Sequence, residues 1–341
     1  MNFTEFENAD GGKISVRFRE FKESDTDAII NLIREEYGDK YQHKEYYDAN
    51  ILIQLHRSGE IIFIVAELES GEIIACLNME KNLLHDEYTN MGTGTVAKAY
   101  RHYHIFQPLI KFVMEEIYKR RESSAISANL VMYHDITEKL IDRLGLIPCG
   151  LILQKILVAN YSQVSYAGKG KNLKYTSVFA VTKVLQNDAG KIYLPVEHQN
   201  FAEKIYSALK VHHEIITYKI NLKGESKIVV EDSPEQKKTL IYVDNSGADL
   251  IEKISEIENA RRDELQTFTL FLNISDEKAV AAYEVLRGLG YFFAGIKPLG
   301  GVREVMILQN PKKVPIYFEE LKATDHYLPL KNYVKKCYDN R

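Results

Sequence analysis

The chain predicts a mixed α/β (α+β) fold, a central sheet flanked by helices, present as two diverged tandem copies. Three observations carry this reading. Between residues 13 and 185, β-rich runs with period-two patterning alternate with stretches of helical periodicity. The frame Leu-Gly-x-x-x-x-Gly occurs at Leu144–Gly150 and again at Leu289–Gly295, an offset of 145 residues. Finally, 341 residues exceed what one hydrophobic core usually holds, so two domains are expected, 1–187 and 188–341.

The elements follow in order. "KISVRFREF" (13–21) alternates as a strand, and "ESDTDAIINLIREEYG" continues as a helix capped by Asp25 or Thr26, with Ile29, Ile30, Leu32 and Ile33 on its apolar side. A second helix covers "EYYDANILIQLHRSG" and stops at Ser58-Gly59. "EIIFIVAELESGEIIACLNME" reads as a hairpin turning at Ser70-Gly71. A strand around Gly94–Lys98 hands over to a helix with Phe106, Ile110, Val113, Met114 and Ile117 on one face. Pro108 is tolerated there because first-turn amides have no intrahelical partner. "AISANLVMY" is the next strand and "DITEKLIDRLG" the next helix, ended by Gly145. Two strands, "CGLILQKILVANYS" and "YTSVFAVTKVL", flank the loop "YAGKGKNLK", which lacks the spacing of a phosphate loop. The 145-residue offset maps the strand at 93–98 onto "KTLIYV", the helix from 105 onto the stretch from 250, and "ISANLVMY" near "QTFTLFLN".

Composition narrows the function. A net charge of −4 and a pI near 6.2 exclude a sequence-independent nucleic-acid binder, which needs a basic footprint. No charged region followed by an apolar core opens the chain, and no apolar run nears the roughly 20 residues that span a bilayer. A cytoplasmic protein with no membrane partner is expected. Cys76, Cys149 and Cys337 are scattered without metal or redox spacing, and His212-His213 has no second ligand at metal spacing, so no metal site is expected.

The strand-to-helix junction "RHYHIF" carries Arg101, His102, Tyr103, His104, Ile105 and Phe106. A helix start offers unpaired N–H groups and partial positive charge, a seat for a diphosphate. The junction resembles the pyrophosphate motif Gln/Arg-x-x-Gly-x-Gly/Ala of the GNAT superfamily, the Gcn5-related N-acetyltransferases. Arg101 fits the motif, while His104 and Phe106 stand at its glycine positions. A later family pattern, Asn-x-x-Ala…Gly-Phe, corresponds to His134, Thr137, Gly145 and Leu146. The element order over 13–185 agrees with the family. The whole chain further resembles a bacterial group with tandem GNAT-like halves, on phrases such as "IYLPVEHQNFAEKIY" and "LGYFFAGI".

The resemblance implies an acetyl-CoA (or other acyl-CoA) cosubstrate and direct acyl transfer to a small-molecule or peptide amine. Arg101, His102, Tyr103, His104, Ile105 and Thr137 would bind the coenzyme, and a backbone N–H among Val96, Ala97 and Lys98 would face the developing oxyanion. The family's tyrosine acid would fall at Ile141, which cannot donate a proton, so Tyr133 and His134 are the substitutes. Glu87, in "HDEYTN", is the candidate general base. The helical phase of Phe106 points its ring to the core rather than to a phosphate. In the second copy the junction becomes "SGADLI" (246–251), and Asp249 in the first helical turn competes with a phosphate. Residues 188–341 are therefore expected to act as a scaffold or a wall of the acceptor site, replacing a homodimer partner or building its interface. The competing reading is a non-catalytic GNAT-fold module for ligand sensing or protein interaction.

Overall fold

The computed structural model describes residues 2–341 except 40, 83–84, 158–174, 187–189, 262–266, 301–303, 313 and 315, and gives residues 82, 85–88 and 235 by backbone alone. Two compact units emerge, one running to Ala128, the other comprising Asn129–Leu157 and the described chain from 175 onward. The loop "YAGKGKNLK" lies outside the described residues.

The first unit is a sheet with the neighbour order β1 (Thr4–Glu7), β2 (Lys13–Glu20), β3 (Ile61–Leu68), β4 (Ile73–Asn82), β5 (His85–Val96) and the start of β6 (Ala125–Val131). Pairing is antiparallel up to β5, and β5 pairs with β6 in parallel. β3 is buried along nearly its whole length, which its unbroken apolar run Ile61–Ala66 requires. Helix α1 (Thr26–Tyr37) buries Ile29, Ile30, Leu32 and Ile33, as their spacing predicts. α2 (Ala49–Arg57) starts at Asp48, whose carboxylate accepts from the N–H groups of Asn50 and Ile51. The expected cap of α1 takes another form. Asp25 occupies the cap position, but its carboxylate accepts from Lys22 N–H and pairs with Arg19, and Thr26 Oγ1 donates to the Glu23 carbonyl. Two further differences are the extra edge strand β1 and the length of β5, which begins nine residues before Gly94. Its polar first half, His85-Asp86-Glu87-Tyr88, hides the strand from a pattern search.

α3 (Phe106–Phe112) passes through a π-helical turn, Val113–Ile117, into the short α4 (Tyr118–Arg120). Ile110, Val113, Met114 and Ile117 are buried. Phe106 lies half-buried against β5, where a Cβ on Gly94 would stand 2.3 Å from its ring. Glycine at 94 is thus the space the Phe106 ring occupies.

The second unit contains α5 (Ile136–Asp142), β7 (Ile147–Ile156), β8 (Thr176–Val184), β9 (Lys191–Tyr193), α6 (Val196–Leu209) and β10 (Glu214–Ile216). It continues with β11 (Lys227–Ser233), β12 (Lys238–Asn245), α7 (Leu250–Asn259), β13 (Thr267–Asn273), α8 (Ala279–Gly288), β14 (Phe292–Lys297), β15 (Val305–Asn310) and α9 (Leu328–Asp339). Its main sheet runs β8-β7-β14-β15-β13-β12-β11. The series β12–α7–β13–α8–β14–β15 repeats β5–α3–β6–α5–β7–β8, with parallel pairing of the first two strands and antiparallel pairing of the last two in each. Two copies of one mixed α/β plan are present. They meet where β7 and β14 cross in antiparallel sense at Gly150 and Gly295, residues equivalent under the 145-residue offset. A Cβ on Gly295, whose φ is +135°, would lie 2.3 Å from the Gly150 Cα. No helix among the described residues is long and apolar enough to cross a membrane.

Candidate functional site

The junction between β5 and α3 is a short 3₁₀ stretch, Lys98–Tyr103, followed by His104 in the left-handed conformation (φ 54°, ψ 30°). The first glycine position of the sequence motif thus keeps a glycine-type backbone although it carries histidine. A non-glycine residue there costs about 1 kcal/mol, which the surrounding turn must offset. The first amide bonded inside the following helix is Leu109 N–H, to the Ile105 carbonyl. The amides of Ile105, Phe106 and Gln107 consequently have no intrahelical acceptor.

The side chains at the turn are not all turned toward that end. Arg101 donates from Nε to the Val96 carbonyl (3.0 Å) and from Nη2 to Glu36 of α1. His102 packs on Tyr103, with ring centroids 4.4 Å apart, and Tyr103 Oη lies beside the turn between β1 and β2. Tyr100 donates to Glu72 (3.0 Å).

Of the three amides proposed for the oxyanion, two are already used. Ala97 N–H donates to the Ile74 carbonyl (2.9 Å), and Lys98 N–H to Glu35 Oε1 (3.2 Å). Val96 pairs with Ala75, and the bond one residue further on makes this a non-hydrogen-bonded pair. In such a pair the N–H points away from the partner strand, so Val96 N–H faces the edge of β5 opposite β4. Among the described residues, β5 pairs with β6 at Asn90–Ser127 and Met91–Ala128, and no described strand of the first unit pairs with Gly92–Val96 on that edge.

The remaining predicted residues fall elsewhere. Glu87 lies on β5 with its side chain outside the described part. Tyr133, His134 and Thr137 belong to the second unit, around the start of α5. The Tyr133 and His134 rings meet edge to face at 4.7 Å, and Thr137 Oγ1 is buried without a hydrogen-bond partner. Ile141, at the tyrosine-acid position, is 3% exposed and part of the core.

One polar cluster in the first unit escapes sequence reading. Tyr46 Oη donates to Glu80 Oε1 (2.8 Å), and Asn78 Nδ2 donates to both Tyr46 Oη (2.8 Å) and Glu80 Oε1 (2.9 Å). Asn78 Oδ1 is buried without a partner, and a Cβ at Gly92 of β5 would stand 3.2 Å from it. Nearby, Tyr41 and Thr93 hydroxyls bond at 3.0 Å. These residues come from β4, β5 and the loop before α2, and no local motif connects them. A carboxylate held by two donors is suited to anchoring a cationic or hydrogen-bonding group. A separate cleft of about 520 Å³ between α1 and the hairpin turn at Gly71 is lined by Asp25, Glu35 and Glu72, a wall that favours cations over phosphates.

The equivalent junction of the second copy is filled by its own chain. Ser246 N–H donates to Asp276, Gly247 N–H to Ser226 Oγ and Ala248 N–H to the Gly224 carbonyl. Asp249 accepts from Ser226 N–H (2.7 Å) and pairs with Lys253, which with that amide holds its carboxyl down at about 2.

No family model matches the chain, and no curated protein matches it. Among solved structures it is similar to a spermidine N-acetyltransferase SpeG chimera from Vibrio cholerae and hSSAT, at 14% identity over 50% of this chain and 95% of that one, with a TM-score of 0.39. It is also similar to the ribosomal-protein-S5-alanine acetyltransferase from Vibrio fischeri, at 15% identity over 53% of this chain and 96% of that one (TM-score 0.40). A third similar structure is the dodecameric spermidine N-acetyltransferase from Vibrio cholerae in an intermediate state, at 14% identity over 50% of this chain and 93% of that one (TM-score 0.40).

Proposed function

We propose that the first copy is an acyl-coenzyme A-dependent N-acyltransferase, with acetyl-CoA or another acyl-CoA as cosubstrate and a small-molecule or peptide amine as acceptor. The observation that carries this reading is the turn at His104. It keeps a left-handed backbone and presents three amides without an intrahelical acceptor, those of Ile105, Phe106 and Gln107, at a helix start. Phe106 supports the reading as well, because its ring packs on Gly94 of β5.

The reaction is direct transfer. The amine nitrogen forms a bond to the thioester carbonyl carbon while the carbon–sulfur bond breaks. Val96 N–H is the proposed donor to the developing oxyanion. The amine proton goes to a carboxylate, with Glu87 as the proposed acceptor, and the departing thiolate takes a proton from solvent. Arg101, His102, Tyr103 and His104 are the proposed coenzyme contacts. Glu80, held by Tyr46 and Asn78, is the proposed group that orients the acceptor's amine. The second copy, its junction amides already bonded, serves as scaffold.

Calorimetric titration with acetyl-CoA tests the reading. Micromolar binding is expected for the native chain, with Arg101→Ala weaker. Glu36→Gln releases Arg101 and is expected to tighten binding by about fivefold, the worth of a half-exposed ion pair. Absence of binding at millimolar coenzyme overturns the proposal. That result would favour a non-catalytic sensing or interaction module, which the engagement of Ala97 and Lys98 amides within the chain supports.

A further inference from the structure

A pocket of about 430 Å³ opens in the second unit, where the start of α6, the end of α8, the start of β14 and the end of α9 converge. Its wall is aromatic and held in place by a directed hydrogen-bond chain. His198 is 4% exposed and stacks on Phe293 at 3.9 Å. Its Nε2 meets Tyr283 Oη at 2.8 Å and its Nδ1 meets Tyr333 Oη at 2.9 Å. Tyr333 gives its own proton to the Glu197 carbonyl (3.2 Å). Its oxygen must therefore accept from His198 Nδ1–H, which leaves Nε2 to accept from the Tyr283 hydroxyl. Burial and the nearby Arg287 charge push the His198 imidazolium down to about 3, so the ring stays neutral and the chain keeps this direction. Both nitrogens are committed, and the two phenols are locked before any ligand arrives. Such a wall loses little side-chain entropy on binding.

At the rim stand Arg287 and Lys336, with Arg341 turned onto the Tyr338 ring, against Glu197, the one acidic side chain lining the pocket, 3.7 Å from Arg287. Both cations are exposed, whereas the rings beneath them are not. A closed core layer would leave no such volume, and a cation would meet like charge at the rim. We propose that this pocket binds a small flat aromatic carboxylate, its ring against the Tyr283–His198–Tyr333 wall and its carboxylate on Arg287 and Lys336. The pocket's volume falls in the range of small-molecule sites. Flat π-systems gain from edge and face contacts that an aliphatic chain lacks. This site is independent of the coenzyme junction.

Cys337 reports on occupancy. It lines the pocket and is half-buried, while Cys76 and Cys149 are fully buried, so it is the thiol that reagents reach. The full chain is titrated calorimetrically with 4-hydroxyphenylacetate and with its neutral amide, and iodoacetamide labelling of Cys337 at pH 8.5 is followed alongside. The carboxylate is expected to bind at least about tenfold more tightly than the amide, as a charge-assisted contact requires. It is expected to slow Cys337 labelling over the same concentration range. Arg287→Gln should weaken carboxylate binding, the double variant Arg287→Gln/Lys336→Gln should reduce it to the amide's level, and both should leave amide binding unchanged. Equal binding of the two probes, no binding at 10 mM of either (roughly a thousandfold weaker than a typical specific site), or labelling indifferent to the carboxylate overturns the proposal.

Discussion

At the level of single residues, two charge clusters set how stability depends on pH. Glu67 accepts from Arg17 Nε (2.6 Å) and Arg19 Nε (2.7 Å), and Arg19 also pairs with Asp25. Its hydrogen bonds to Arg19 and then Arg17 hold the Glu67 carboxyl down at about 2. A depressed carboxyl contributes stability that is present above its unfolded value and is lost as pH falls through the folded one. Glu67→Gln should therefore lower stability at pH 7, by on the order of 3 kcal/mol, and flatten the decline between about pH 4.5 and 2. Urea unfolding across that range is the measurement, and an unchanged acid limb would refute the assignment. His213 behaves oppositely. Burial alone would lower it, but the Glu304 carboxylate 3.5 Å away, itself 1% exposed, raises it above its ordinary value. The stability it contributes is complete below about pH 6.5 and is lost as pH rises through the raised folded value. His213→Gln should remove that alkaline loss from the thermal-unfolding profile, and a variant that retains it would show that another group titrates.

At the level of elements, small side chains and caps decide what can approach what. β7 and β14 come together only because Gly150 and Gly295 face one another without side chains. Gly295→Ala would force a Cβ into the Gly150 backbone at a φ that L-residues avoid, and a loss of at least about 2 kcal/mol is expected. Denaturant midpoints test this; a shift under 0.5 kcal/mol, the usual scatter of surface substitutions, would mean that the strands separate freely. Asp48→Ala should cost about 1 kcal/mol by freeing the Asn50 and Ile51 amides at the start of α2. Its effect should be confined to hydrogen exchange in that helix and its neighbours.

At the level of the whole molecule, the compact units do not coincide with the halves drawn from sequence. β7, β8 and α5 of the first copy pack with the second copy in one unit. Leu153 N–H donates to Gln309 Oε1, Leu157 N–H to Gln236 Oε1 and Thr324 N–H to Glu138, while the Phe179 and Tyr327 rings sit 4.8 Å apart. A fragment ending at residue 187 would expose the β7 edge and lose these partners. It is expected to aggregate when expressed alone and to become soluble when 188–341 is supplied in trans. A monomeric, cooperatively folding 1–187 fragment would show the first copy to be self-sufficient.

Much of this organisation is written in short stretches of chain. The apolar stripe of α1, the hairpin at Ser70-Gly71 and the order of strands and helices follow from periodicity, because each residue's face is set by its immediate neighbours. The repeated Leu-Gly-x-x-x-x-Gly frame likewise announces two copies, and the phase of Phe106 announces a ring turned to the core, which the structure places half-buried against Gly94 of β5. Tertiary structure alone decided that Glu35 and Glu36, more than sixty residues from the junction, occupy Lys98 N–H and Arg101. It alone gathered Tyr46, Asn78 and Glu80, and it alone paired β7 with a strand 145 residues away. Contacts of that kind depend on which surfaces the folded chain brings together, and local patterning carries no record of them.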